Sequence, residues 1–159
     1  MRLSEELVIV PLFEPKDCAG AAYVSDAVDM GKLSSLTAVI TFGAITGNSV
    51  LTVNADTTSA LATALTTPIA FKYRQGAADF KVATADQLGA PTTVALTGLT
   101  LTAATFDHTT VVIEIDADTL GSTARWVTFN ISAVANPCLV AGIGVAKAKY
   151  VGNLNPSVI

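Results

Sequence analysis

The sequence predicts an all-β fold, a single β-sandwich or jelly-roll-like barrel with short N- and C-terminal arms. Three long stretches, residues 33–55, 87–106 and 126–146, contain no charged residue. Within them apolar and hydroxyl residues alternate, as in LTAVITF at 36–42, and this period of two is that of a strand. Only 14% of the 159 residues are charged, whereas soluble domains average about a quarter. The composition favours a β protein whose surface is partly covered by neighbours.

The length predicts one domain over residues 1–159, with an N-terminal strand or arm at 1–13 and a C-terminal tail at 152–159. A chain of this size can build one hydrophobic core. Turn-forming residues recur about every ten positions, which is the spacing of a sandwich or barrel. No low-complexity linker and no exact repeat divides the chain.

Three strands are predicted in the first part of the chain. Residues 7–13 form an apolar run, and Pro11 places it at a sheet edge or bend because proline cannot donate to a ladder. Residues 21–30 are a second candidate strand. Residues 36–45 alternate most clearly and predict a central strand.

The middle of the chain mixes turns, strands and one ambiguous segment. The composition of 46–49 predicts a tight turn, after which 50–54 returns as the hairpin partner of the preceding strand. Residues 55–67 combine helix-forming alanines with threonines and predict a loop with one helical turn at most. Strand character resumes at 69–74, and 79–84 is a further short candidate.

The apolar positions change parity near Gly98. Val94 and Leu96 share one parity, whereas Leu99 and Leu101 share the other. One extra residue in a strand reverses the facing of everything after it. A β-bulge at the glycine therefore explains the change.

The last third of the chain contains regular alternation. Residues 109–116 and 125–132 predict strands, 116–121 a turn or short helical turn, and a final strand runs on to Tyr150. The positions that share a face are Val111, Ile113 and Ile115, then Val127, Phe129 and Ile131, then Leu139, Ala141, Ile143 and Val145.

The charge balance argues against a direct nucleic-acid role. The net charge is −4 and the nine Lys and Arg residues are scattered, whereas nucleic-acid binding requires a basic stripe. The uncharged stretches contain Asn, Pro and Gly and alternate polar with apolar residues, so a membrane-spanning helix is not expected either.

No catalytic, cofactor or metal site is predicted, and the chain is expected to be non-enzymatic. His108 follows Asp107, but no Gly-x-Ser-x-Gly motif accompanies the pair. Glu114, Asp116 and Asp118 alternate as calcium ligands can, yet the EF-hand spacing is missing, and a solvated turn is expected.

The two cysteines and two strand glycines are given structural interpretations. Pairing and redox state of Cys18 and Cys138 cannot be read from the sequence. We expect two free thiols, because Cys18 falls in a polar turn region and Cys138 begins an apolar strand. Gly142 and Gly144 lie within the last strand and are expected to mark close backbone approach.

Several segments together resemble a known class of proteins. They are LVIVPL at 7–12, VDM at 28–30, AVITFGA at 38–44, FKYR at 71–74, VIEIDADTL at 112–120, and a close formed by Tyr150 and NPSVI at 155–159. The chain is similar, over most of its length, to small virion structural proteins of tailed bacteriophages, in particular head decoration (cement) proteins. Members of that family are typically β-rich and bound as oligomers, often trimers, on a capsid lattice.

The resemblance implies a non-enzymatic protein that decorates and stabilises a tailed-phage capsid by bridging capsid subunits. Its partners would be the major capsid protein and further copies of itself, without cofactor, nucleic acid or membrane. It would be made in the bacterial host cytoplasm and reside on the outer surface of the virion head. A tail or neck structural protein and a receptor- or carbohydrate-binding β-sandwich are the alternatives.

The two ends of the chain and the single tryptophan are the expected contacts between chains. Residues 7–10 are apolar at both parities, so they should be covered on both faces, and a neighbour can supply such cover by strand addition. The alternative is that the N-terminal strand lies inside its own sandwich and that the tail is loose. Trp126 lies opposite the apolar face of its strand. The candidate interface consists of Leu7, Val8, Ile9, Val10, Leu12, Phe13, Trp126, Tyr150, Val158 and Ile159.

Overall fold

The computed structural model describes residues 7–59, 65–77, 79–121, 124–133 and 137–150. Helix is confined there to α1 (Ala103–Phe106) and one 3₁₀ turn (Ala117–Thr119). The strands are β1 (Val8–Asp17), β2 (Tyr23–Val24), β3 (Val28–Asp29), β4 (Leu33–Ile45), β5 (Ser49–Asp56), β6 (Thr67–Ile69), β7 (Phe71–Gln75), β8 (Thr92–Val94), β9 (Leu99–Leu101), β10 (Thr110–Asp116), β11 (Trp126–Ile131) and β12 (Cys138–Ala148).

The strands form two antiparallel sheets that pack against each other, which confirms the all-β sandwich. The first sheet has the order β1-β12-β4-β10-β7-β8. The second has the order β2-β11-β5-β6, with β3 beside β11 and β9 beside β5. As Pro11 predicts, β1 lies at an edge, and β4 lies in the middle of its sheet.

The core lies between the two sheets and follows the predicted alternation. Every second residue of β4 from Leu36 to Phe42 is fully buried, as are Val111 and Ile113 of β10. From the second sheet, β11 contributes the expected apolar face of Val127, Phe129 and Ile131. Burial of alternate residues confirms β4 and β10, and the buried apolar face confirms β11, although Thr128 on its other face is also buried.

The predicted hairpin between 36–45 and 50–54 is wrong, because β4 and β5 belong to different sheets. β5 pairs with β6, β9 and β11. Both edges of β4 are already occupied by β12 and β10. With no free edge to join, the chain crosses to the opposite sheet after β4.

The predicted bulge at Gly98 is also wrong, and the parity change has a different cause. β8 lies in the first sheet and β9 in the second, so the chain changes sheets between Val94 and Leu99. Gly98 sits in this crossing with φ +87°. A Cβ there would lie 2.7 Å from Thr52 Cγ2 and Val50 Cγ1, so the crossing requires glycine.

Three further predictions are wrong, only partly met, or partly outside the described residues. Residues 79–84 are not a strand but successive turns, because the Asp79 carboxylate accepts a hydrogen bond from the Lys81 N–H at 3.1 Å and competes with ladder pairing. The candidate strand 21–30 is reduced to the short β2 and β3. The predicted loop 55–67 begins with the end of β5, and residues 60–64 lie outside the described part.

The last strand buries its glycine side and leaves its larger side chains outside. In β12, Gly142, Gly144 and Ala146 face the core, whereas Ile143 and Val145 point away from it. A Cβ on Gly144 would lie 2.8 Å from Leu36 Cδ1, and one on Gly142 3.1 Å from Phe13 Cδ2. The expected close approach at Gly142 and Gly144 is confirmed. Because these glycines face the core, the larger apolar residues at the alternate positions of β12 face outward.

Candidate functional site

The outer face of the first sheet is an uncharged, mostly apolar surface. It is built from the outward-facing positions of its first four strands, β1, β12, β4 and β10. We term it the outer patch, and its residues are Ile9, Pro11, Thr37, Val39, Thr41, Thr110, Val112, Leu139, Ala141, Ile143 and Val145.

Strand register places these side chains in continuous rows. Pro11 lies opposite Ile143, Ile143 opposite Val39, and Val39 opposite Val112. Residues directly opposite each other in antiparallel strands point to the same face and touch. The rows therefore merge into one surface rather than scattered apolar side chains.

The outer patch is open to solvent in the isolated chain. Ile9 and Ile143 are each 49% exposed, which is high for isoleucines in the middle of strands. A shallow depression of about 280 Å³ crosses the patch between Pro15 and Val39. A second, of about 360 Å³, runs beside Leu139 to Phe80.

Charged residues surround the outer patch without entering it. Arg74 lies opposite Val112, and Glu114 lies opposite Thr37 on the side towards β7. Lys147 follows Val145 by two residues at one end, and Asp17 lies opposite Leu139 at the other. An apolar centre with a polar rim is the anatomy of a protein–protein interface.

The N-terminal run contributes less to this surface than the sequence predicts. Val10, Leu12 and Phe13 are buried in the chain's own core, so they offer no side-chain surface to a partner. Leu7 and Val8 are half-buried, and Val8 packs against the core. Ile9 and Pro11 of this run lie in the outer patch, and no part of the chain that the structure describes covers the outer side of Ile9.

The remaining predicted contact residues lie apart from the outer patch. Trp126 is half-buried on the outer face of the second sheet, 5.7 Å from the Arg125 guanidinium. Tyr150, just beyond β12, is 64% exposed. Val158 and Ile159 lie outside the described residues.

One ion pair closes the edge of the second sheet. The Arg125 Nε and Nη2 atoms each donate to the Asp29 carboxylate at 2.7 Å, and the Gly31 N–H donates to it at 2.9 Å. Burial alone would raise the pKa of Asp29, but these donors outweigh burial and hold the pKa below its usual value. This pair stabilises the edge of the sheet.

The polar residues that the sequence singles out do not come together into a reactive site. His108 is exposed, with its Nε2 atom 3.8 Å from Asp107 Oδ2. Asp107 Oδ1 instead accepts a hydrogen bond from the Ile45 N–H at 2.8 Å, which is a structural role. Throughout the described ranges, no three His, Cys, Asp or Glu side chains are grouped as metal ligands.

Sequence reasoning missed most of the outer patch. Its members on β4 and β10 alternate with core residues and read as ordinary solvent-facing positions. The sequence contains one indication of this surface, which is that Ile143 lies between Gly142 and Gly144. When such glycines face a core, the larger residues between them face outward.

Comparison with known proteins found no match among family models, curated proteins or solved structures. Among the residues that the structure describes, none of the helices has the length and apolarity needed to cross a bilayer.

Proposed function

We propose that this chain is a non-enzymatic structural protein of a tailed-phage virion that decorates the outer surface of the head. In this role it bridges neighbouring capsid subunits and neighbouring copies of itself. The supporting observation is the outer patch, an uncharged apolar surface with a charged rim. The segments that resemble head decoration proteins support the same function.

A contact through the outer patch has a clear physical basis. Burying apolar surface contributes about 25 cal/mol per Å². A standard interface takes about 800 Å² from each partner, roughly a tenth of the 8146 Å² that this chain exposes. Contacts of this size, repeated over a shell, reinforce one another because each bridged subunit raises the effective concentration of the next.

The shape of the outer patch favours a broad protein partner over a small ligand. Small-molecule sites enclose most of their ligand and aim a few polar groups at it. The depressions beside Val39 and Leu139 are shallow; uncharged residues line the first, whereas the second also includes Lys16 and Asp17 of β1. A flat apolar sheet face instead matches a second flat surface.

The proposal is tested by placing a charge at the centre of the outer patch. Ile143→Lys should weaken binding to heads of the source phage about 30-fold, the effect of losing a central contact worth about 2 kcal/mol. Leu96→Lys is the matched control, because Leu96 is 56% exposed in the turn after β8 and lies outside the patch. Binding by co-sedimentation and melting temperature are measured for both variants.

Both variants should melt close to the wild type, since each changes an exposed side chain. Equal head binding by the wild type and Ile143→Lys would refute the role of the outer patch. Wild-type chain that binds purified tails or necks, and not heads, would replace the decoration role with the tail or neck alternative. Light scattering on the isolated chains separates loss of self-association from loss of capsid binding.

A further inference from the structure

We propose that Cys18 and Cys138 form a redox pair that closes into an intramolecular disulfide. The bond would join the end of the edge strand β1 to the start of β12. Both cysteines are free thiols in the structure.

Strand register brings the two cysteines face to face. Asp17 is paired with Leu139, so the next residue of β1 and the preceding residue of β12 are opposite each other. The Cys18 N–H donates to the Cys138 carbonyl at 3.0 Å. Opposed antiparallel residues have Cα atoms about 4.5–5.5 Å apart, within the range of about 4.4–6.8 Å that disulfides span.

Both thiols lie on the same side of the sheet, and both are sealed from solvent. Cys18 is 2% exposed and Cys138 is 0% exposed. A hydrogen bond to Cys138, together with burial, raises the pKa of Cys18 far above its ordinary value. The hydrogen bond from Cys18 in turn lowers the pKa of Cys138. Because the thiolate is the reactive form, Cys138 is the nucleophile of the pair, and burial is what keeps an oxidant away from it in the closed state.

The local structure provides a way for an oxidant to reach the pair. The register of β1 against β12 is irregular between Pro11 and Phe13 and again between Phe13 and Lys16. The Cys138 N–H is held by the Asp17 side chain at 2.9 Å rather than by a backbone carbonyl. An edge strand with interrupted pairing can open locally without global unfolding.

The oxidation can be written with a small-molecule disulfide as the oxidant. The Cys138 thiolate attacks the external disulfide, forms a mixed disulfide and releases one external thiolate. The Cys18 thiolate then attacks the Cys138 sulfur and releases the second. The two cysteines lose two protons and two electrons in total, and the external disulfide is reduced to two thiols.

The expected consequence is a more stable chain. The bond would close the loop 18–138, and cross-links over long loops restrict the unfolded ensemble most. For a domain of this size we expect the melting temperature to rise by about 10 °C.

The test treats the folded, reduced full chain with oxidised glutathione at mildly alkaline pH. We expect the intact mass to fall by two hydrogens, no thiol to react with an alkylating agent after denaturation, and one cross-linked peptide to contain both cysteines. Dithiothreitol should reverse the mass change and the gain in melting temperature. Cys18→Ala and Cys138→Ala should each yield a stable glutathione adduct on the remaining cysteine instead.

Three results would overturn the inference. They are two free thiols after treatment that oxidises the denatured chain, a disulfide-linked dimer, or a stable double glutathione adduct on the wild type. The experiment uses the isolated chain, so its outcome does not depend on the proposed virion role.

Discussion

The two sheets are built from strands that are similarly poor in charged residues, but their outer faces differ. The second sheet is covered by its own chain at two places. Leu65 donates its N–H to Thr128 Oγ1 at 3.3 Å and accepts from Asn54 Nδ2 at 2.6 Å. The turn at Gly98 closes onto Val50 and Thr52. The outer patch of the first sheet has no comparable cover among the described residues.

This contrast shows that the same sequence pattern occurs in two different structural situations. A strand with uncharged residues on both faces can have its second face covered by a loop of the same chain or by another molecule. Thr128 and Asn54 meet the first condition, because both are buried within the chain. Ile9 and Ile143 are exposed instead, and we expect another molecule to cover them.

The largest expected effect concerns the close cover over the second sheet. Gly98→Ala should destabilise the chain by about 3 kcal/mol, because it adds a Cβ to a positive-φ residue in contact with Val50 and Thr52. Gly121→Ala is the matched control, since Gly121 has φ +70° but no atom within 4 Å of a new Cβ. It should cost about 1 kcal/mol. Equal costs in urea unfolding would show that the Gly98 turn is loosely packed.

A pair of isosteric substitutions compares the two outer faces directly. Thr128→Val removes the acceptor of the buried Leu65 N–H and should cost about 1.5 kcal/mol. Thr41→Val, in the half-exposed outer patch, should change stability by less than about 0.5 kcal/mol. Thermal unfolding of both variants measures the difference, and a reversed order would contradict the assignment of covered and open faces.

The smallest expected effect is the pH dependence of the Asp29–Arg125 pair, which has no counterpart within the outer patch. Because the folded-state pKa of Asp29 is lowered, its contribution is complete above the usual carboxyl value of about 4. It is lost as the pH falls through the lower folded-state pKa. Asp29→Asn should cost about 1 kcal/mol at neutral pH, since Arg125 is screened by solvent.

Denaturant unfolding across acidic pH measures this dependence. The wild-type and Asp29→Asn curves should converge as the pH falls. Parallel curves would mean that another carboxylate dominates acid unfolding. Hydrogen exchange should place the acid-sensitive opening at β3, beside Asp29, and leave β12 unchanged.

Local alternation was sufficient to predict which residues of β4, β10 and β11 enter the core. It placed Val111, Ile113 and Ile115 inward on β10 and identified β4 as a central strand, as the structure confirms. Side-chain facing is a local property of a strand, so a period of two reports it directly.

Strand partners and sheet crossings could not be predicted in the same way. The predicted hairpin at 46–49 is wrong because distant strands occupy both edges of β4. The predicted bulge at Gly98 is wrong because the chain changes sheets between β8 and β9. Which face of β12 enters the core depends on Leu36 and Phe13, because these side chains occupy the space that a Cβ at Gly144 or Gly142 would need. The outer patch therefore becomes visible only when four strands are assembled.

Electron cryomicroscopy of the source particle tests the central claim most directly. We predict density for this chain on the outer surface of the head, with Ile9, Ile143 and Val39 against a capsid subunit or a second copy. Density in which the outer patch faces solvent while another surface makes the contacts would contradict it. Absence of the chain from the particle would contradict the proposed function as a whole.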